Sequence, residues 1–131
     1  MIEEGRALFL QIAESVEDSI IDRSLAEETQ APSTNELAAF YRINPATAAK
    51  GVNMLVDKGV LYKRRGIGMF VAPGARDRLL AERREAFADR YLDPLLAEAR
   101  KLGLGPDDLS RLLHDRAARA QDATDTEGTA R

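Results

Sequence analysis

The chain has 131 residues, no cysteine, a single histidine at position 114 and a formal net charge of −3. These counts exclude a disulfide staple, a thiolate nucleophile and a metal cluster built on thiolates or histidines. Aromatics make up only 5% of the chain and Trp is absent, so a core must come from Leu, Ile, Val and Ala, within one domain or a small domain with an appendage.

No apolar run approaches the roughly 20 residues that span a bilayer. The opening "MIEEGR" has the wrong charge for a secretory signal, so the expectation is a soluble cytoplasmic protein. The charge is unevenly spread. Residues 1 to 41 hold two basic side chains against nine acidic ones, whereas residues 42 to 65 hold six basic against one acidic. For a polyanion partner the local field matters more than the total.

In chain order, "ALFLQIAESVEDSIIDR" places Leu8, Ile12, Val16 and Ile20 at steps of four, which predicts an amphipathic helix. The acids of residues 14 to 28 are expected to form a solvated face. "SLAEETQAPS" has no apolar period and reads as a loop. Ser33 stands three residues before Glu36, the capping-box spacing, so a short helix should follow with Leu37, Ala38 and Tyr41 toward the core. Asn44 is a good N-cap, and Pro45 suits the first position of the next helix. That helix would run to Gly59 with Ala48, Val52 and Leu55 on one side. Gly51 in its middle costs about 1 kcal/mol against Ala, so it implies a close neighbour. "VLYKR" and "MFVA" flank Arg65-Gly66-Ile67-Gly68 and predict a β-hairpin.

Beyond Pro73-Gly74, the residues Leu79, Leu80, Phe87, Tyr91 and Leu95 recur near helical spacing, and Pro94 should kink or split that helix. "LGLGPDD" is a break. The final helix opens near Pro106 and carries Leu109, Leu112 and Leu113 on one face. From Gln121 onward the residues are small, polar and unpatterned, which predicts disorder over 121–131.

The first 72 residues resemble the winged helix-turn-helix domain of GntR-type bacterial transcription regulators. The resemblance rests on "LFLQIAESVEDSI" and on "APSTNELAAFYRINPATAAKGVNMLVDKGVLYKRRGIGMFVA". Pro-Ser opens the second helix, Asn-Pro-x-Thr opens the third, Gly closes it, and an Arg-Arg-Gly-x-Gly-x-Phe-Val wing follows. The remaining half, with "LGLGPDDLSRLL", resembles the short two-helix tail of the YtrA-like subgroup. That likeness implies a homodimer joined through the tail, a palindromic operator and repression of transcription. The pattern is departed from at Asn35, where the family usually has Arg, at Ala31 for Leu and at Ser24 for Gly.

The expected architecture is therefore mainly α with a small β-hairpin. A winged helix-turn-helix domain spans 1–73, and a two-helix C-terminal dimerisation tail spans 74–120. On the DNA side, Lys63, Arg64 and Arg65 would meet phosphates, with Gly66 allowing close approach of the backbone. Read without the third helix, the same stretch is a hairpin with a charged, solvated strand. In the third helix Asn44, Ala46, Thr47 and Lys50 face the major groove, although Asn44 serves equally well as a cap alone. Ser33, Thr34 and Asn35 offer the N-terminus of the second helix to a phosphate, with capping alone as the alternative for Ser33. The stripe Leu79, Leu80, Phe87, Tyr91, Leu95, Leu109, Leu112 and Leu113 is expected to serve as core and dimer interface. His114 reads as a helix-surface residue. No cofactor, metal or enzymatic constellation is indicated; the partners are double-stranded DNA and a second copy, with an unidentified small-molecule effector left open. The alternative function is a winged-helix protein–protein assembly module that has lost DNA binding.

Overall fold

The computed structural model describes residues 6–129, with side chains from 6 to 124. Those residues fall into two compact units divided between Arg84 and Glu85. The first unit is built on helix α1 (Leu8–Ile21), whose Ile12, Val16 and Ile20 are buried as the four-residue step predicts. Burying each such side chain contributes roughly 1.5–3 kcal/mol.

Helix α2 (Thr34–Tyr41) begins with a complete capping box. Ser33 Oγ accepts from Glu36 N at 3.0 Å, and Glu36 Oε1 accepts from Ser33 N at 3.1 Å. Helix α3 (Pro45–Asp57) begins with Asn44 Oδ1 accepting from Ala46 N at 2.8 Å, with Pro45 in the first turn. It buries Ala48, Val52 and Leu55, and Gly59 closes its end at φ 78°. Gly51 marks the crossing of α1 and α3. A Cβ there would stand 2.7 Å from the Phe9 carbonyl oxygen and 3.4 Å from Ile12 Cβ. The close neighbour that a mid-helix glycine implies is thus the backbone of α1.

Strands β1 (Leu61–Arg64) and β2 (Gly68–Val71) pair antiparallel, with Leu61 opposite Val71 and Arg64 opposite Gly68. The stretch before Pro32 is not the plain loop predicted from sequence. Glu28 N donates to Val71 O at 2.8 Å, Val71 N to Thr29 O at 3.0 Å, and Ala31 N to Met69 O at 2.8 Å. Residues 28–31 therefore line the other edge of β2, and Gln30 bridges to Phe70. The pairing runs through main-chain groups, so it needs no apolar alternation to form.

Helix α4 (Ala75–Phe87) overturns the expected boundary at residue 73. Ala75 and Leu79 are 0% and 1% exposed inside the same core as Ile12 and Leu55, so residues up to Arg84 complete the winged unit. Polar ties reinforce the seat. Arg76 Nε donates to Ile21 O at 2.9 Å, Arg83 pairs with Asp18 at 2.6 Å, and Arg78 donates to the Gly59 carbonyl. Lys58 Nζ lies 2.7 Å from buried Glu17 and 3.0 Å from Glu82. Burial disfavours the Lys58 ammonium, but its hydrogen bonds to Glu17 and Glu82 outweigh that and hold its pKa above the ordinary lysine value. The acids of α1 are accordingly more than a solvated face: Glu17 and Asp18 fasten other elements.

In the second unit, α4 passes into a π-helical turn (Ala88–Leu92) and then helix α5 (Asp93–Lys101). Pro94 has no N–H and its ring crowds the carbonyl four residues earlier. The chain accommodates it by widening the turn: Asp93 N donates to Ala88 O, five residues back. Gly103, at φ 71°, ends α5, and Leu104 N returns to Ala99 O at 2.9 Å. Helix α6 (Pro106–Thr129) starts with Asp108 Oδ2 accepting from Gly105 N at 2.8 Å. It continues to Thr129, against the disorder expected from Gln121 onward; extending a helix already nucleated costs far less than starting one. The last two positions of that expectation, Ala130 and Arg131, lie outside the described residues.

Candidate nucleic-acid interface

Three exposed features of the first unit carry the residues singled out from sequence. At the start of α2, Ser33 and Asn35 are exposed and Thr34 is half-buried. The Ser33 hydroxyl is committed to Glu36 N, but the amides of Thr34 and Asn35 have no intrahelical acceptor, being first-turn positions. The Ser33 cap lowers the pKa of Glu36, first through the backbone N–H of Ser33 and then through its side chain. Glu36 is thus held ionised beside the helix end.

At the start of α3, Asn44 and Ala46 are exposed and Thr47 is half-buried. The capping role of Asn44 is realised through its Oδ1, which leaves its amide NH2 directed elsewhere. Lys50 is exposed but not unengaged: its Nζ lies 4.1 Å from the centroid of the Phe9 ring on α1. An exposed cation–π contact of this kind contributes roughly 0.5–1 kcal/mol, which Lys50 must give up to reach a base. The sequence offered no sign of this, because Phe9 and Lys50 meet only through the close crossing at Gly51.

In the wing, Ile67 N donates to Arg64 O at 3.0 Å and Gly66 sits at φ 77°, as the third residue of a type II turn requires. Arg65 and Gly66 therefore occupy the tip, both exposed, with Ile67 62% exposed beside them. Charge alone treats Lys63, Arg64 and Arg65 as equals. The structure does not. Arg64 folds back over the Phe70 ring at 4.2 Å, donates to Tyr62 Oη at 2.9 Å and lies 3.5 Å from Glu28 Oε2. Tyr62 Oη in turn donates to Glu28 at 2.9 Å. The side chains of Lys63 and Arg65 have no hydrogen-bond or ion-pair partner among the described residues. With Lys58 tied to Glu17 and Glu82, the positive excess counted over residues 42–65 shrinks to a smaller set of uncommitted cations.

The remaining singled-out residues divide between the units. Leu79, 1% exposed, belongs to the core of the first unit and is not available to a partner. Leu80 is half-buried there. In the second unit Phe87 and Tyr91 are 55% and 52% exposed with ring centroids 5.4 Å apart. Leu95, Leu112 and Leu113 are exposed too, and Leu109 is half-buried. Leu92, Leu96 and Leu102 add exposed apolar surface that the stripe of spacings omitted. His114 is exposed on α6, and no group of side chains among the described residues could hold a metal ion. Among the described residues no helix is long and apolar enough to cross a membrane.

Comparison with known proteins bears on this arrangement. Residues 8–71 match the profile of the gntR family of bacterial regulatory proteins. The HTH-type transcriptional regulator YhcF of Bacillus subtilis is 23% identical over 107 residues, covering 82% of this chain and 87% of that protein. A GntR-family transcriptional regulator from Bacteroides thetaiotaomicron superposes with a TM-score of 0.74 at 29% identity, covering 87% of this chain and 99% of the other. A transcriptional regulator from Oenococcus oeni does so with a TM-score of 0.74 at 25% identity, covering 89% and 96%.

Proposed function

As residues 8–71 carry the winged helix-turn-helix of the GntR family of bacterial transcription regulators, we propose that the chain binds a palindromic operator as a homodimer and represses transcription. The observation that supports this best is the N-terminal half of α3, with Ala46 and Lys50 exposed and Thr47 half-exposed, on a helix that packs against the strand leading to a glycine turn with uncommitted cations. A recognition helix presents such a turn to base edges, and a wing brings cations to the flanking phosphates. Lys50 reaches guanine or phosphate by leaving Phe9.

The YtrA-like subgroup and the dimer are part of the same proposal. Phe87, Tyr91, Leu95, Leu112 and Leu113 leave the second unit with more exposed apolar surface than a free-standing pair of helices carries. A second copy offering the same helices would cover it and would pair two reading heads on a two-fold site. An effector would have room in a cleft of about 470 Å³ between α1 and α2, on whose wall stands Glu36 of the capping box.

The test is a titration of DNA carrying the promoter upstream of the protein's own gene, at several salt concentrations. Salt-sensitive binding at submicromolar protein, stronger than to shuffled DNA, is expected. Absence of any shift at micromolar protein would favour the second reading, an assembly module that has lost DNA binding, which the engagement of Lys50 by Phe9 and the uncharged Asn35 also suit.

A further inference from the structure

Gln30 lies on the 28–31 segment that lines the edge of β2, and its side chain is exposed. Yet its Nε2 donates to the carbonyl oxygen of Ile67, at the tip of the wing, at 3.1 Å. The anchor beneath that amide is firm. Gln30 bridges to Phe70, and the residues on either side of it are fixed by Val71 N donating to Thr29 O and Ala31 N donating to Met69 O. The wing tip has no other strand beyond it: β1 and β2 end at Arg64 and Gly68. Apart from the Ile67 N to Arg64 O bond of its own turn, the Gln30 contact is the tie that joins this loop to the rest of the unit among the described residues.

A second observation concerns Gly68. Its φ of 145° lies where side-chain-bearing residues are rarely found, and a Cβ built there would stand 2.6 Å from Gln30 Nε2. The backbone angle favours glycine, and a methyl group there would push the exposed glutamine amide off its place against Ile67 O. Residues 30 and 68 form one device: a side chain reaching across the sheet, and a gap that admits it.

We infer that Gln30 is a positioning residue for DNA recognition, which fixes the wing tip so that Arg65 and the Gly66 backbone meet the nucleic acid in one geometry. The inference rests on the proposed regulator function. Gln30 acts through the wing and need not touch DNA itself. Ordering a loop before binding removes that cost from the association step, so the tether should appear as affinity rather than as fold stability.

The experiment uses the full chain with Gln30→Met, which keeps length and charge but loses the donor, beside Gln30→Ala. Three quantities are read: the midpoint of thermal unfolding, amide hydrogen exchange at Ile67 and Gly68 without DNA, and the Kd for the promoter fragment. Both variants should unfold at nearly the wild-type temperature, exchange their wing amides several-fold faster and bind DNA roughly three- to tenfold more weakly. Wild-type exchange in Gln30→Met would overturn the inference, as would weakened binding with exchange unchanged, which would make Gln30 a direct contact. If the wild-type chain binds no DNA, the regulator reading fails with the DNA half of this one, and the exchange data still decide whether Gln30 holds the wing.

Discussion

The sharpest test of the proposed DNA-binding surface separates three neighbouring cations that sequence treats alike. Lys63 and Arg65 are uncommitted, whereas Arg64 is folded over Phe70 and paired with Glu28. Replacing Lys63 and Arg65 by Ala should remove two phosphate contacts per subunit. Each contact contributes about 0.9 to the slope of log K against log salt, so the slope should become shallower by about 1.8 per subunit, or about 3.6 for a dimer with both wings seated. Between 50 and 200 mM salt that corresponds to about a twelvefold smaller loss of affinity per subunit. Arg64→Ala should change the slope much less, and should instead loosen the hairpin by uncovering Phe70. Fluorescence anisotropy with a labelled duplex, repeated over that salt range, measures all three. An unchanged slope in the double variant, or an equal flattening by Arg64→Ala, would refute the assignment.

Gly51→Ala should destabilise the first unit even though Ala is the better helix former by about 1 kcal/mol. Its Cβ would meet the Phe9 carbonyl at 2.7 Å, and overpacking of that kind costs roughly 1–3 kcal/mol; a raised midpoint in thermal unfolding would contradict it. A chain ending after Arg84 keeps Ala75 and Leu79 and should fold, yet sediment as a monomer and lose far more affinity for a palindrome than for random DNA. One that remains dimeric would move the subunit contact into the winged unit. The lowered pKa of Glu36 means that its contribution to stability is present above the unfolded value near 4.5 and is lost as pH falls through the lower folded value. Unfolding midpoints of wild type and Glu36→Gln should therefore differ at pH 7 and converge as the pH falls below the lowered folded value, and a constant difference would show that the carboxylate is not the cause.

The elements that the sequence reveals best are those announced by local chemistry. The Ser33–Glu36 spacing, the Asn44-Pro45 pair and the glycines of the wing each specify backbone geometry within a few residues, and each is realised as expected. What is not legible depends on partners far away in the chain. Residues 28–31 pair through backbone groups and so leave no pattern. Leu79 continues the apolar stripe of α4 without a break, so nothing at residue 73 or 79 announces that it joins the core built on Ile12 and Leu55 rather than a second subunit. Pro94 predicts a disturbance but not its form, since a kink, a break and a widened turn all accommodate a missing N–H. The candidate site shows the same division. Its residue types are visible in the sequence, but the engagement of Arg64 by Glu28, of Lys50 by Phe9 and of Ile67 by Gln30 is not.

The sheet has a covered edge and an open one. Residues 28–31 line β2, while β1 pairs with nothing else among the described residues. An open strand edge is a template for another chain, and proteins guard such edges with short strands and charged side chains. Here β1 is four residues long and ends in Lys63 and Arg64, charges of the kind that keep such an edge from pairing with a second copy. Stripping charge from the wing should therefore do more than weaken the proposed phosphate contact. It removes a barrier to aggregation, and an apolar wing selected for tighter packing would trade a soluble protein for one that self-associates along that edge.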